Sequence, residues 1–170
     1  MKSLVIFAAA AIAITSPVRA QQETIGVSVG SSITGPIQVQ DVDGNAVDLA
    51  TYIGKKPVLV EFWATWCSLC AALMPQFEAA KKKYGDGVDV LIVAVGVGQS
   101  RNAVKRHATE HAMPGKVFFD VSGAATRAFQ APSTSYIVGL DAKGKVVYTG
   151  LGDKQTVEVA VQKAGGRLGG

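Results

Sequence analysis

The chain is poor in cysteine, in aromatic residues and in charge: of 170 residues, two are cysteine, 7% are aromatic and 18% are charged. Two cysteines exclude a disulfide scaffold, and also an all-cysteine zinc site, which takes four. The longest apolar run, Leu4 to Ile14, is 11 residues and falls well short of the ~20 that a membrane-spanning helix takes. The basic clusters Lys81-Lys82-Lys83 and Arg101/Lys105/Arg106 have no aromatics interleaved with them. They read as solvated helix faces rather than a stacking platform, so no nucleic-acid partner is expected. There is no internal repeat, and the length allows one ordinary domain with a core large enough to need no staples.

The N-terminus pairs a charged start, Met1-Lys2-Ser3, with that short apolar run and a small residue, Ala20. This is the pattern of a secretory signal over residues 1–20, cleaved after Ala20, with an uncleaved membrane anchor as the alternative. Removing it takes away Lys2 and Arg19 and lowers the net charge from +4 to +2. The expected location is periplasmic or secreted. Residues 21–36 are polar and rich in Gly and Ser, a flexible lead-in. Residues 165–170 read as a disordered tail.

Between them, 37–164 alternates strand and helix patterns. Ile37–Gln40 and Ala46–Leu49 flank the turn signal Asp43-Gly44, an N-terminal β-hairpin. Val58–Trp63 and Val88–Val97 are near-continuous apolar runs, as in central strands covered on both faces. Helices are expected over Ser68–Tyr84, Arg101–His111, Ala124–Phe129 and Val157–Lys163. Further strands are expected at Lys116–Phe119, Ser135–Leu140 and Lys145–Thr149. Pro75 should kink the first helix. The fold class is α/β, a central mixed β-sheet with helices on both faces.

Both cysteines fall in one C-x-x-C, Cys67-Ser68-Leu69-Cys70, between a buried strand and a helix start. Cys67 at the helix N-terminus meets unpaired N–H groups and the positive dipole end, which favour its thiolate as nucleophile. Cys70, one turn in, is the resolving thiol. A disulfide across so short a loop constrains the unfolded chain little, so a permanent staple is a poor reading. His107 and His111, spaced i, i+4, are a possible ligand pair but lie far from the cysteines in sequence, and read as surface residues. Glu61 stands inside the buried run Val58–Trp63, where desolvation raises a carboxyl pKa. It shares a strand face with Trp63, and the following turn can set it beneath the cysteine pair to exchange a proton with Cys70.

The stretch Val60-Glu61-Phe62-Trp63-Ala64-Thr65-Trp66-Cys67-Ser68-Leu69-Cys70, followed by Pro75, resembles the thioredoxin superfamily. Within it, the chain is most similar to the TlpA/ResA-like extracytoplasmic thiol-disulfide oxidoreductases, over Ile37 to Lys163. The resemblance implies a thioredoxin-like fold and a reductase acting on protein disulfides. It implies no cofactor or metal beyond the Cys67–Cys70 disulfide, and a membrane electron donor, with apocytochrome c a candidate substrate. It further implies that Pro132 is a cis-proline facing the cysteines, that Ala131 pairs with substrate, and that Trp66 helps bind it, with Trp63 and Pro75 in support. Two departures stand out. Leu69 replaces the usual proline before the second cysteine. Gln99 stands where some relatives carry an acid. Two rival readings use the same residues: a binding protein holding a soft metal such as copper on the cysteines, and a non-catalytic interaction domain.

Overall fold

The computed structural model describes residues 25–169. The expected leader, residues 1–20, lies outside them. The fold grows from β3 (Val58–Trp63), whose six residues are all buried. Val58, Val60 and Phe62 alternate with Leu59, Glu61 and Trp63 on its two faces, and the large apolar side chains leave neither face for water. β4 (Asp89–Val95) lies parallel to β3 on one side, and β6 (Tyr136–Leu140) antiparallel on the other. β5 (Lys116–Asp120) extends the parallel part beyond β4, and β7 (Val146–Leu151) closes the far edge against β6. The hairpin of β1 (Gln38–Asp41) and β2 (Ala46–Asp48) forms as expected and docks through β1 on β5. The seven-stranded sheet runs β2-β1-β5-β4-β3-β6-β7.

The two faces carry separate clusters. Leu59 and Trp63 point to the side of α1 (Ser68–Tyr84), α2 (Arg101–Glu110) and α4 (Val157–Ala164), whose Phe77, Val104 and Val161 pack there. Val58, Val60 and Phe62 point to the side of α3 (Ala124–Ala128), where Phe129 meets Phe62 edge-on with ring centroids 5.7 Å apart. α1 is unbroken from Ser68 to Tyr84 although Pro75 lies inside it. Cys70, Leu73, Phe77, Ala80 and Tyr84 bury one face at helical spacing, and Lys81, Lys82 and Lys83 occupy the last turn, where the dipole favours cations. Among the described residues, no helix is long and apolar enough to cross a membrane.

Three boundaries differ from the sequence reading. The lead-in, expected to be loose over 21–36, is seated from residue 25 onward. Val27 is buried, its N–H donates to Tyr136 Oη at 3.0 Å, and Gly30 N–H donates to Val146 O at 2.8 Å. Small and polar residues outnumber apolar ones here, yet Gly30 and Ser31 pair their backbone with Val146 on the edge strand β7. The described part of the tail is fastened too, Gly166 N–H donating to Val161 O at 3.0 Å and Gly169 N–H to Lys83 O at 3.1 Å. Leu49 is not strand but begins a 3-10 turn, Leu49–Tyr52, because the Asp48 carboxylate accepts from Ala50 N–H and turns the chain there.

Asp120, buried at the end of β5, fixes α3. Its carboxylate accepts from the N–H groups of Ala125 and Thr126 at 3.1 and 2.8 Å, and from Thr126 Oγ1 at 2.8 Å. Asp120→Ala should orphan these donors and lower unfolding stability by on the order of 2–3 kcal/mol. A urea midpoint equal to wild type would contradict this.

Candidate active site

The turn after β3 carries the cysteines. Cys67 is the N-cap residue of α1, in an extended conformation, and its sulfur accepts from Cys70 N–H at 3.1 Å. The pair is joined as a disulfide, with Cα atoms 5.3 Å apart, a separation one helical turn supplies without distortion. Cys67 retains 8% of its surface and Cys70 none, so an incoming sulfur can reach only Cys67. Cys70 Sγ lies 3.9 Å from Phe62 O, back on β3.

The loop ahead of the pair is held by the segment that follows β4. Thr65 N–H donates to Gln99 Oε1 at 2.9 Å, and Gln99 Nε2 donates in turn to Val95 O at 2.7 Å. The Trp66 indole N–H donates to Val97 O at 3.1 Å. Gly98, at φ +67°, makes the approach possible: a Cβ there would sit 3.2 Å from Trp66 Nε1. Gln99 therefore contributes hydrogen bonds where some relatives were expected to carry an acid. Trp66 remains 54% exposed beside Leu69 and Val97, an apolar rim around the disulfide.

Glu61 is fully buried, and neither carboxylate oxygen has a hydrogen-bond partner. It lies in register with Ile92 on β4 and Ile137 on β6, and alternation puts it on the Leu59/Trp63 face, the face that packs the two cysteines. Burial alone pushes its pKa well above the ordinary carboxylate range.

Ala131 and Pro132 face Trp66 and Val97 across an apolar groove of about 500 Å³. The expected cis bond before Pro132 is absent: among the described residues every peptide is trans. The bend is made instead by two left-handed residues flanking the loop, Gln130 at φ 47° and Ser135 at φ 63°. Ser135 N–H then donates to Phe62 O at 2.7 Å, so the carbonyl that faces Cys70 Sγ also ties down this loop. Trp63 is buried, beneath the disulfide rather than at the surface, and Pro75 is exposed on α1.

The histidines were expected at the surface, and only His111 is exposed. The His107 ring is half-buried against Trp63, with centroids 4.9 Å apart, and lines a cleft with Cys67. Burial, then the charge of His111, lowers its pKa, against a smaller upward pull from Glu110. The i, i+4 spacing was visible in sequence, but the helix face it occupied was not. Among the described residues, no three His, Cys, Asp or Glu side chains are grouped as a metal centre would need.

A family model described as Redoxin matches residues 28–165. The thiol-disulfide oxidoreductase ResA of Bacillus subtilis (strain 168) is 30% identical over 144 residues, which cover 85% of this chain and 78% of that protein. The thiol-disulfide oxidoreductase YkuV of the same organism is 37% identical over 83 residues, and the matched stretch spans only 55% of its length. Among solved structures, the exposed lipoprotein thioredoxin Etrx1 of Streptococcus pneumoniae is 28% identical with TM-score 0.63, over 76% of this chain and 98% of that one. StoA of Bacillus subtilis, 18% identical with TM-score 0.62 over 78% of this chain and 98% of that one, shares the fold.

The buried Glu61 sets a pH signature. Its folded-state pKa is raised, so stability is fully present below the unfolded value, 4.5, and is lost as pH rises through the folded one, because the unfolded chain ionises first. Glu61→Gln has no such titration. Urea unfolding from pH 4 to 8 should show the variant gaining on wild type as pH rises above 4.5. Parallel pH profiles would mean that Glu61 does not titrate on unfolding.

Proposed function

This chain belongs to the Redoxin family of the thioredoxin superfamily, and on that premise we propose how its cysteine pair turns over. It is a thiol-disulfide oxidoreductase acting outside the cytoplasm on protein disulfides, with the cysteine pair as its active group. The observation that carries the mechanism is a C-x-x-C at the head of α1 on the sheet face of a buried carboxyl without a partner.

In the dithiol form, the Cys67 thiolate at the helix N-terminus attacks a substrate disulfide. One new S–S bond forms, one breaks, and the released substrate sulfur takes a proton. Cys70 then loses its proton to Glu61, whose raised pKa brings it toward that of a thiol, and attacks Cys67 Sγ. The Cys67–substrate bond breaks as the Cys67–Cys70 disulfide forms, and the leaving substrate sulfur takes up the proton that Glu61 received, so the substrate leaves as a dithiol. Trp66, Ala131 and Pro132 hold the substrate chain in the groove they line, and Trp63 packs in the core with the two cysteines. In this reading the protein works as a reductase, supplied by a membrane electron donor, with apocytochrome c among its substrates. The leader over 1–20 delivers it to the periplasm or beyond.

Cys67→Ser should abolish insulin reduction, while Cys70→Ser should accumulate mixed disulfides with substrate proteins. A Cys70→Ser protein that yields no covalent adduct would overturn the mechanism. Glu61→Gln should slow exchange by about 10²-fold at neutral pH. Unchanged kinetics between pH 6 and 8 would remove Glu61 from the proton transfer. A reduction potential near about −270 mV would support the reductase direction, and one near about −120 mV would reverse it.

A further inference from the structure

The chain has two histidines and three methionines, one of them Met1. Both histidines and both remaining methionines line a single cleft of about 280 Å³ beside Cys67. Three separate elements bring them there. Met74 comes from α1, two turns beyond Cys67, and is half-buried against the core. His107 comes from the last turn of α2 and lies against Trp63. His111 caps that helix, with its ring centroid 4.2 Å from that of His107. Ala112 then takes the left-handed conformation, φ 42°, and the chain turns so that Met113 enters the same cleft. That region is disfavoured for a residue carrying a Cβ, so the turn is held by its surroundings.

We propose that this cleft is a binding site for a soft monovalent metal ion, Cu+, held by the imidazoles of His107 and His111 and the thioethers of Met74 and Met113. The donor chemistry selects the ion. Thioethers are poor ligands for hard cations, and zinc sites are built from Cys, His and carboxylates, which are not clustered in threes among the described residues. Imidazole together with thioether suits Cu+. Glu78 and Trp63 also line the cleft, adding a carboxylate and an aromatic wall beside the donors. The ion enters and leaves as Cu+, so binding needs no electron transfer. The site uses neither cysteine, which separates it from the disulfide chemistry above.

The test uses the full chain with its disulfide intact, under anaerobic conditions, against Cu+ supplied as its bicinchoninate complex. The oxidised protein should withdraw one Cu+ per chain, and so should the Cys67→Ser/Cys70→Ser protein. His107→Gln and Met113→Leu should each weaken binding by roughly 10-fold or more. Equal uptake by wild type and both variants would overturn the site and leave these residues a packing role. Uptake that appears only on reduction and vanishes in the double serine variant would overturn it too, by assigning copper to the thiols. Should a variant fail to fold, the wild-type protein decides. With ¹³C-methyl-labelled methionine, added Ag+, a redox-inert stand-in, should shift the Met74 and Met113 methyl signals. Unmoved signals would overturn the proposal. Insulin reduction by the metal-free protein is read separately, so loss of one activity leaves the other standing.

Discussion

Everything at the site depends on the complete burial of β3. A strand covered on both faces by packed helices cannot bend until it leaves the sheet, so its end fixes where the next residues go. Here the chain leaves after Trp63 and passes directly into the cysteine turn. Because the sheet holds β3 on both sides, through β4 and β6, the turn inherits a rigid base. The same burial deprives Glu61 of water and of any hydrogen-bond partner. The scaffold that positions the sulfurs is thus also what perturbs the acid.

That arrangement opposes stability to chemistry. A carboxyl buried without a partner destabilises the fold whenever it ionises, and leucine at the same place would pack without that penalty. Sites of this kind are sustained by the rest of the core, and here the two clusters flanking the sheet supply it. Cys67 and Cys70 divide labour for a similarly simple reason. They stand one helical turn apart, so one caps the helix at the surface and the other is drawn under it.

The central strands, the four helices and the cysteine turn were legible in the sequence because each has a one-dimensional signature: a continuous apolar run, a 3.6-residue period, a cysteine spacing. Glu61 was legible for the same reason, as a charge breaking an apolar run. The loop around Pro132 was not. Its bend comes from Gln130 and Ser135 in the left-handed region, and neither residue type announces that conformation. The seating of residues 25–36 was hidden as well, since it rests on backbone groups meeting Tyr136 and Val146 rather than on an apolar pattern. Gln99 and His107 were noticed as residues, but their contacts with Thr65 and Trp63 join positions far apart in the chain, which spacing cannot reveal.

The segment from Gly96 to Gly115 leaves β4 and returns to β5, two strands locked side by side in parallel register. Its ends are fixed and it adds no strand of its own, while Val104 of α2 packs on the sheet face. It nevertheless contributes the acceptors for Thr65 and Trp66, the exposed Val97, and the histidine wall of the second cleft. It therefore behaves as an interchangeable cassette. Natural variation or deliberate grafting between these two anchor points can redraw what surrounds the reactive sulfur while leaving the cysteines, their strand and their acid as they are.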